Sequence, residues 1–109
     1  MKLVGRIARA ELEQGGMRRL RYPPFDVLVT LVDGEPCALE DACNHAGASL
    51  SEGERDATCV VCPMHAYTFE LRTGRLVVPQ GLCEDQRRFL ARIEGSDVVV
   101  YDPFELVLR

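Results

Sequence analysis

The chain has 109 residues, of which 47% are hydrophobic and 28% are charged. This length fits one domain, so we expect residues 1–109 to form a single domain. The composition is that of a globular protein and excludes disordered, collagen-like and coiled-coil chains. The net charge of −4 argues against non-specific nucleic-acid binding. The longest apolar runs, such as residues 98–101, are too short to cross a bilayer, which argues against a membrane protein.

The N-terminal residues contain no apolar stretch of the kind found in secretory signals. We therefore expect a cytoplasmic protein, in which thiols stay reduced. Under those conditions the five cysteines are predicted to be metal ligands or free thiols rather than a disulfide framework.

Short apolar runs separated by turn residues predict an all-β fold. In chain order the predicted strands are 3–8, 17–22, 25–32, 36–39, 57–61, 67–71, 76–78, 89–93 and 97–101. Residues 11–16 are predicted to form a turn with room for one helical turn. Loops are predicted around 41–53 and 79–81, and residues 104–109 form a short apolar tail. The sum of eight or nine short strands predicts a small antiparallel sandwich or barrel.

Two clusters of metal-ligating residues interrupt the strand pattern. The first is Cys43-Asn44-His45 and the second is Cys62-Pro63-Met64-His65, and they contain both histidines of the chain. A cysteine and a histidine this close together on a turning loop can point toward one site. Two such loops at neighbouring sheet ends would supply two thiolates and two imidazoles. That donor set suits either zinc or a [2Fe–2S] cluster.

The sequence around both clusters resembles the Rieske family of [2Fe–2S] proteins. Residues 43–53 resemble the first cluster loop of the family, including a glycine two positions after the histidine. Residues 62–74 resemble the second loop and the hairpin that follows it, and residues 79–81 resemble the proline-containing loop over the cluster. One departure is Ala66, where the family often has glycine, and its methyl group is expected to shift the second loop slightly.

The resemblance implies a ligand set and a cofactor. Cys43 and Cys62 would hold the inner iron, and His45 and His65 the outer iron nearer solvent. The cofactor would be one Rieske-type [2Fe–2S] cluster per chain. It would lie in a loop-built subdomain of about residues 41–83, formed by loops near 43–50, 62–66 and 79–83.

The resemblance also implies a low reduction potential. High-potential members carry a serine and a tyrosine where this chain has Tyr67 and Phe69. They also join the two loops by a disulfide, and its cysteines would fall at Ala48 and Met64. Hydrogen bonds to the cluster sulfurs raise the potential. Phe69 has no donor, and Tyr67 carries its hydroxyl too far out to replace the serine. We therefore predict a potential near the lower end of roughly −150 to +300 mV.

The pattern is most similar to ferredoxin components of bacterial ring-hydroxylating oxygenase systems. The mononuclear iron of an oxygenase typically needs two further histidines, which the chain lacks, so no catalytic residues are predicted. We expect a one-electron carrier between a flavoprotein reductase and a terminal oxygenase. An apolar rim of Ala46, Met64 and Pro79 would surround the two exposed histidines. The alternatives are a relay subunit of a larger reductase, such as a nitrite-reductase-like complex, and a zinc-binding interaction module.

The remaining cysteines, Cys37, Cys59 and Cys83, are predicted to be free thiols. Cys59 and Cys62 form a Cys-x-x-Cys sequence, which in redox proteins opens a helix. Here the sequence ends a predicted strand, which favours the ligand role for Cys62.

Overall fold

The computed structural model describes residues 1–24, 26–43, 47–64, 66–78 and 84–103. Within these ranges the chain forms ten β-strands and two short 3₁₀ segments, Arg9–Gly15 and Leu50–Glu52. The strands are β1 (Lys2–Ala8), β2 (Met17–Leu20), β3 (Val27–Val32), β4 (Glu35–Glu40), β5 (Glu54–Asp56), β6 (Cys59–Val61), β7 (Thr68–Glu70), β8 (Leu76–Val78), β9 (Arg88–Glu94) and β10 (Asp97–Asp102).

Six strands form a curled antiparallel sheet in the order β1-β10-β9-β4-β3-β2. The curl brings the two outer strands close together, because a Cβ added to Gly5 in β1 would lie 3.5 Å from a Leu20 methyl group in β2. The concave side encloses one apolar core, to which β3 contributes Val27 and Val29 and β9 contributes Phe89.

The other four strands form a smaller antiparallel sheet in the order β5-β6-β7-β8. This sheet is inserted in the chain between β4 and β9 and encloses a second core. Strand β3 serves both cores, because successive side chains of a strand point to opposite faces. Its residues Val27 and Val29 enter the first core, whereas Leu28 and Val32 enter the second. The second sheet is thereby packed against the six-stranded sheet.

Arg55, in the outer strand β5, links the second sheet to the six-stranded sheet. Its guanidinium donates from Nη1 to the carbonyl oxygen of Leu31 at 2.6 Å and to Thr30 Oγ1 at 3.2 Å. It also donates from Nη2 to the Ala57 carbonyl oxygen at 2.9 Å. These bonds hold the start of the second sheet against β3.

The predicted all-β antiparallel fold is confirmed. Strand β5 was not predicted, because Glu54, Arg55 and Asp56 are all charged and give no apolar signal. The strand predicted over 17–22 ends at Leu20, and Tyr22 instead packs its ring edge-on against Phe89. Residue 25, the loop at 79–83 and the tail at 104–109 lie outside the described residues. No helix in the described part of the chain has the length and apolar composition required to cross a membrane.

Candidate metal centre

The two predicted ligand loops are closed in the same way. The first begins after the bridge between Ala42 and Ser49, and the Cys43 N–H donates to the Ala48 carbonyl oxygen at 2.8 Å. The second begins after the pair Val61 and Thr68 of β6 and β7. In each case a cysteine opens a six-residue loop whose ends are joined by strand pairing.

The closing bond of the second loop matches that of the first. The Cys62 N–H donates to the Tyr67 carbonyl oxygen at 2.7 Å, so both cysteines bond the residue five positions later. The sequence then puts His45 at the third position of its loop and His65 at the fourth. Both histidines lie outside the described residues, as do Ala46, Pro79 and Cys83.

The two loop cysteines are buried in the same apolar core. Cys43 is 1% exposed, Cys62 is 2% exposed, and both belong to the core beneath the second sheet. Neither is in a disulfide. Two buried thiols at the mouths of two matched loops fit the cysteine half of a Rieske-type donor set, because thiolates are soft ligands that favour iron–sulfur clusters and zinc.

The described residues supply only the sulfur half of the set. Among them, no three His, Cys, Asp or Glu side chains come together as a metal site. Neither histidine is among the described residues. The assignment of all four ligands therefore stays a prediction.

A buried carboxylate, Asp41, supports the first loop from below. Its Oδ1 accepts the Ser51 N–H at 2.7 Å, and its Oδ2 accepts the hydroxyl of Ser49. Its own carbonyl accepts the Leu50 N–H at 2.7 Å. The Arg19 guanidinium lies 4.0 Å from Oδ2 and offsets part of the buried negative charge. Asp41 thus fixes the chain on the far side of the first loop.

Gly53 lies where the chain after the first loop meets the strand that leads into the second. It follows the 3₁₀ segment Leu50–Glu52, and its N–H donates to the Leu50 carbonyl oxygen at 2.9 Å. A Cβ at this position would collide with the carbonyl oxygen of Val61, the residue immediately before Cys62. The absence of a side chain at Gly53 therefore allows the chain after the first loop to lie against the end of β6, next to Cys62.

The second loop turns through Ala66 in a left-handed backbone conformation. Its φ is +56°, a region that favours glycine because it crowds the Cβ of other residues. Ala66 is the position at which the sequence departs from the Rieske pattern. In this structure the alanine adopts a glycine-like conformation, and the loop still closes by its Cys62–Tyr67 hydrogen bond.

The four positions on which the predicted low potential rests are all described in the structure. Phe69 is fully buried in the core beneath the loops and carries no hydrogen-bond donor on its side chain. Tyr67 is largely buried in the same core, and the partly buried Ala48 packs against this core. Met64 is exposed at 49% on the second loop. The apolar rim stays a prediction, because Ala46 and Pro79 lie outside the described residues.

The other described cysteines lie in strands and are not part of the two loops. Cys37 is buried in β4, and burial raises the pKa of its thiol, which therefore stays neutral. Cys59 is half-buried in β6, opposite Glu70 of β7. Because Cys59 lies inside a strand, the Cys-x-x-Cys sequence does not open a helix here.

Comparison with known proteins identifies the class of site. The model of the Rieske [2Fe-2S] domain family matches residues 4–89. The ferredoxin component of biphenyl 2,3-dioxygenase from Rhodococcus jostii (strain RHA1) is 36% identical over 100 residues, which cover 92% of each chain.

Two solved structures share the fold. The ferredoxin of carbazole 1,9a-dioxygenase from Nocardioides aromaticivorans IC177 superposes with a TM-score of 0.83 at 23% identity, over 94% of this chain and 99% of that one. A chain in the complex of reduced oxygenase and oxidized ferredoxin in carbazole 1,9a-dioxygenase gives a TM-score of 0.82 at 27% identity. The match covers 90% of this chain and 91% of that one.

The chain belongs to the Rieske [2Fe-2S] domain family. Its cofactor is a Rieske-type [2Fe–2S] cluster, which confirms the predicted cofactor and sets aside the zinc-binding module. Its relatives are ferredoxin components, so the chain is an electron carrier rather than the catalytic subunit of its system.

Proposed function

We propose that this cytoplasmic carrier takes one electron from a flavoprotein reductase and delivers it to a terminal ring-hydroxylating oxygenase. The similarity to the biphenyl dioxygenase ferredoxin component supports the class of acceptor. The match to a chain in an oxygenase–ferredoxin complex supports direct docking on the oxygenase. A flavoprotein donor is the second half of the proposal.

Cys43 and Cys62 are proposed to hold the inner iron, and His45 and His65 the outer iron. When bound, the cluster supplies a centre that accepts and releases one electron. The observation that carries this assignment is the pair of matched loops, each opened by a buried cysteine of the same core. Burial of both thiolates shields the cysteine side from water, which leaves the histidine side as the end for electron entry and exit.

The chain's own residues hold this arrangement rigid. Each cysteine N–H is engaged in the bond that closes its loop. Asp41 holds the chain after the first loop, and Gly53 allows that segment to touch the strand before the second. A carrier with fixed ligand positions undergoes little rearrangement when its charge changes by one unit.

The ligand assignment is tested by substitution of one histidine. His65→Ala is expected to abolish the rhombic EPR signal of the reduced Rieske centre. A pair of cysteine variants gives the matched comparison. Cys62→Ser is expected to lose the signal and Cys37→Ser to keep it, because Cys37 is buried within β4 and is not part of either loop. A normal Rieske signal in His65→Ala would contradict the assignment.

The partner assignment is tested by the two half-reactions. The reductase and the terminal oxygenase of the Rhodococcus jostii biphenyl system serve as probes, with the native ferredoxin component of that system as positive control. We expect the reductase to reduce this chain and the oxygenase to reoxidise it, each followed by the visible spectrum. A loaded chain that exchanges electrons with neither protein, while the native component does so with both, would contradict the proposal.

Met64 provides a test of the docking surface. Its side chain is exposed on the second loop and would contact a partner that approaches the histidine end. Met64→Glu introduces a charge there and is expected to slow reoxidation by the oxygenase with an unchanged EPR spectrum, because transient electron-transfer interfaces are small. Met64→Leu, which keeps the apolar surface, is the matched control. An unchanged rate in Met64→Glu would exclude docking at this end.

A further inference from the structure

Gln86 is a buried polar residue that joins segments distant in the sequence. It lies two residues before β9 and is 3% exposed. Its side-chain Nε2 donates to the carbonyl oxygens of Glu40 and Ala42, each at 2.8 Å. A primary amide has two N–H donors, so each carbonyl receives one of them.

One of these carbonyls belongs to the peptide group that leads into Cys43. The Ala42 oxygen accepts from Gln86, and the N–H of the same peptide group, that of Cys43, donates to the Ala48 oxygen at 2.8 Å. Because a peptide group is planar, bonds on both of its edges fix its orientation. The Cα of Cys43 lies at the end of this plane, so the plane sets the point from which the thiol extends.

The backbone of Gln86 is held by the hairpin that follows the second loop. The Gln86 N–H donates to the Gly74 carbonyl oxygen at 2.7 Å, and the Gly74 N–H donates to the Glu70 oxygen of β7 at 2.8 Å. Gly74 has a φ of +78°, and a Cβ there would collide with the Gln86 carbonyl oxygen. Gln86 is therefore packed directly against the second sheet.

We propose that Gln86 is a positioning residue for the cluster. It holds Cys43 at a fixed place relative to the hairpin of the second loop, and it acts through the Ala42–Cys43 peptide group rather than through a ligand atom. This inference rests on the proposed function, in which Cys43 is a ligand. Loss of supporting hydrogen bonds behind a metal ligand typically lowers affinity by about 10- to 100-fold.

The test is Gln86→Met, which keeps the length of the side chain and removes both amide donors. The variant is expected to lose its cluster about 10- to 100-fold faster than wild type when anaerobic protein is challenged with a chelator. The EPR lines of the reduced variant should be broader and shifted, because Cys43 occupies a wider range of positions. Its midpoint potential should differ from that of wild type.

The matched control is Tyr22→Phe, which removes a buried side-chain donor in the other core. Tyr22 packs in the core that contains Val27 and Phe89, and its hydroxyl donates to Asp102 Oδ2 at 2.7 Å. This variant should be less stable to urea but should keep the wild-type EPR spectrum, potential and rate of cluster loss. If it changes these properties as much as Gln86→Met does, the effect is one of general stability and the inference is wrong.

Gln86→Glu provides a second variant of nearly the same shape. It also lacks the amide donors, and its carboxylate would face the Glu40 and Ala42 oxygens, so its effect should be larger. If neither variant folds, NMR of the wild-type protein decides the question. The side-chain amide protons of Gln86 should exchange with solvent more slowly than those of the exposed Gln14, and equal rates would overturn the inference.

The outcomes separate this inference from the proposed function. A wild-type chain that binds no iron and sulfide overturns both. A wild-type chain with a Rieske centre, together with Gln86 variants of wild-type spectrum, potential and cluster-loss rate, overturns the role of Gln86 alone.

Discussion

Replacement of Gly53 by alanine tests whether the close approach of Gly53 to Val61, the residue before Cys62, sets the geometry of the site. The added Cβ would collide with the Val61 carbonyl oxygen and would lie 3.2 Å from the Leu50 oxygen. Insertion of a methyl group into a well-packed site costs about 1–3 kcal/mol. Because the obstacle is backbone and not a flexible side chain, we expect Gly53→Ala to cost about 3 kcal/mol. With a urea dependence of about 2 kcal/mol/M, the unfolding midpoint falls by about 1.5 M.

The assay combines urea unfolding, followed by circular dichroism, with EPR of the reduced protein. Val61 precedes Cys62, so displacement of its carbonyl should also alter the EPR spectrum. Gly34→Ala is the control, because Gly34 has a φ of +80° and open space around its Cβ position. That change carries only the backbone cost of about 1–2 kcal/mol and should leave the spectrum unchanged. The reasoning is refuted if Gly53→Ala costs no more than Gly34→Ala and keeps the wild-type spectrum.

Three further predictions concern the potential, the second loop and the core. A redox titration should place the midpoint near the lower end of roughly −150 to +300 mV, because Phe69 has no hydroxyl to donate to the cluster; a clearly positive midpoint would contradict this. Ala66→Gly relieves the left-handed strain at φ +56° and should raise the unfolding free energy by about 0.5–1 kcal/mol, whereas an unchanged or lower value in urea unfolding would show that the alanine is unstrained. Burial, the hydrogen bond to Asp102 and the charge of that carboxylate raise the pKa of Tyr22 to about 12. An unfolded tyrosine titrates near 10, so the stabilising contribution of Tyr22 is complete below pH 10 and is lost as the pH rises toward 12. Tyr22→Phe should flatten this decline in a pH series of urea midpoints, and equal slopes for the two proteins would rule it out.

The ligand loops could be predicted because their information is local. The spacing within Cys43–His45 and Cys62–His65 is enough to indicate two turning loops that face one site. The structure adds that each cysteine closes its loop by the same hydrogen bond. It also shows how Ala66 is tolerated where the sequence departs from the family pattern, since the residue adopts a positive φ.

The support behind the loops could not be predicted, because it depends on residues far apart in the chain. Gln86 bonds carbonyl groups 44 and 46 residues away, and nothing in the sequence around Gln86 indicates those partners. Asp41 is adjacent to the first loop, but its burial becomes evident only when the sheets are packed. Strand β5 was missed for a related reason, because its three charged residues form an outer strand held by the bonds of Arg55 to β3.

The most direct test of the central claim is EPR of anaerobically purified protein before and after reduction with dithionite, with iron and zinc measured on the same sample. The account predicts about two irons per chain, an oxidised sample without a signal and a rhombic spin-one-half signal after reduction. A colourless protein that contains zinc, holds no iron after anaerobic reconstitution and stays silent on reduction would contradict it.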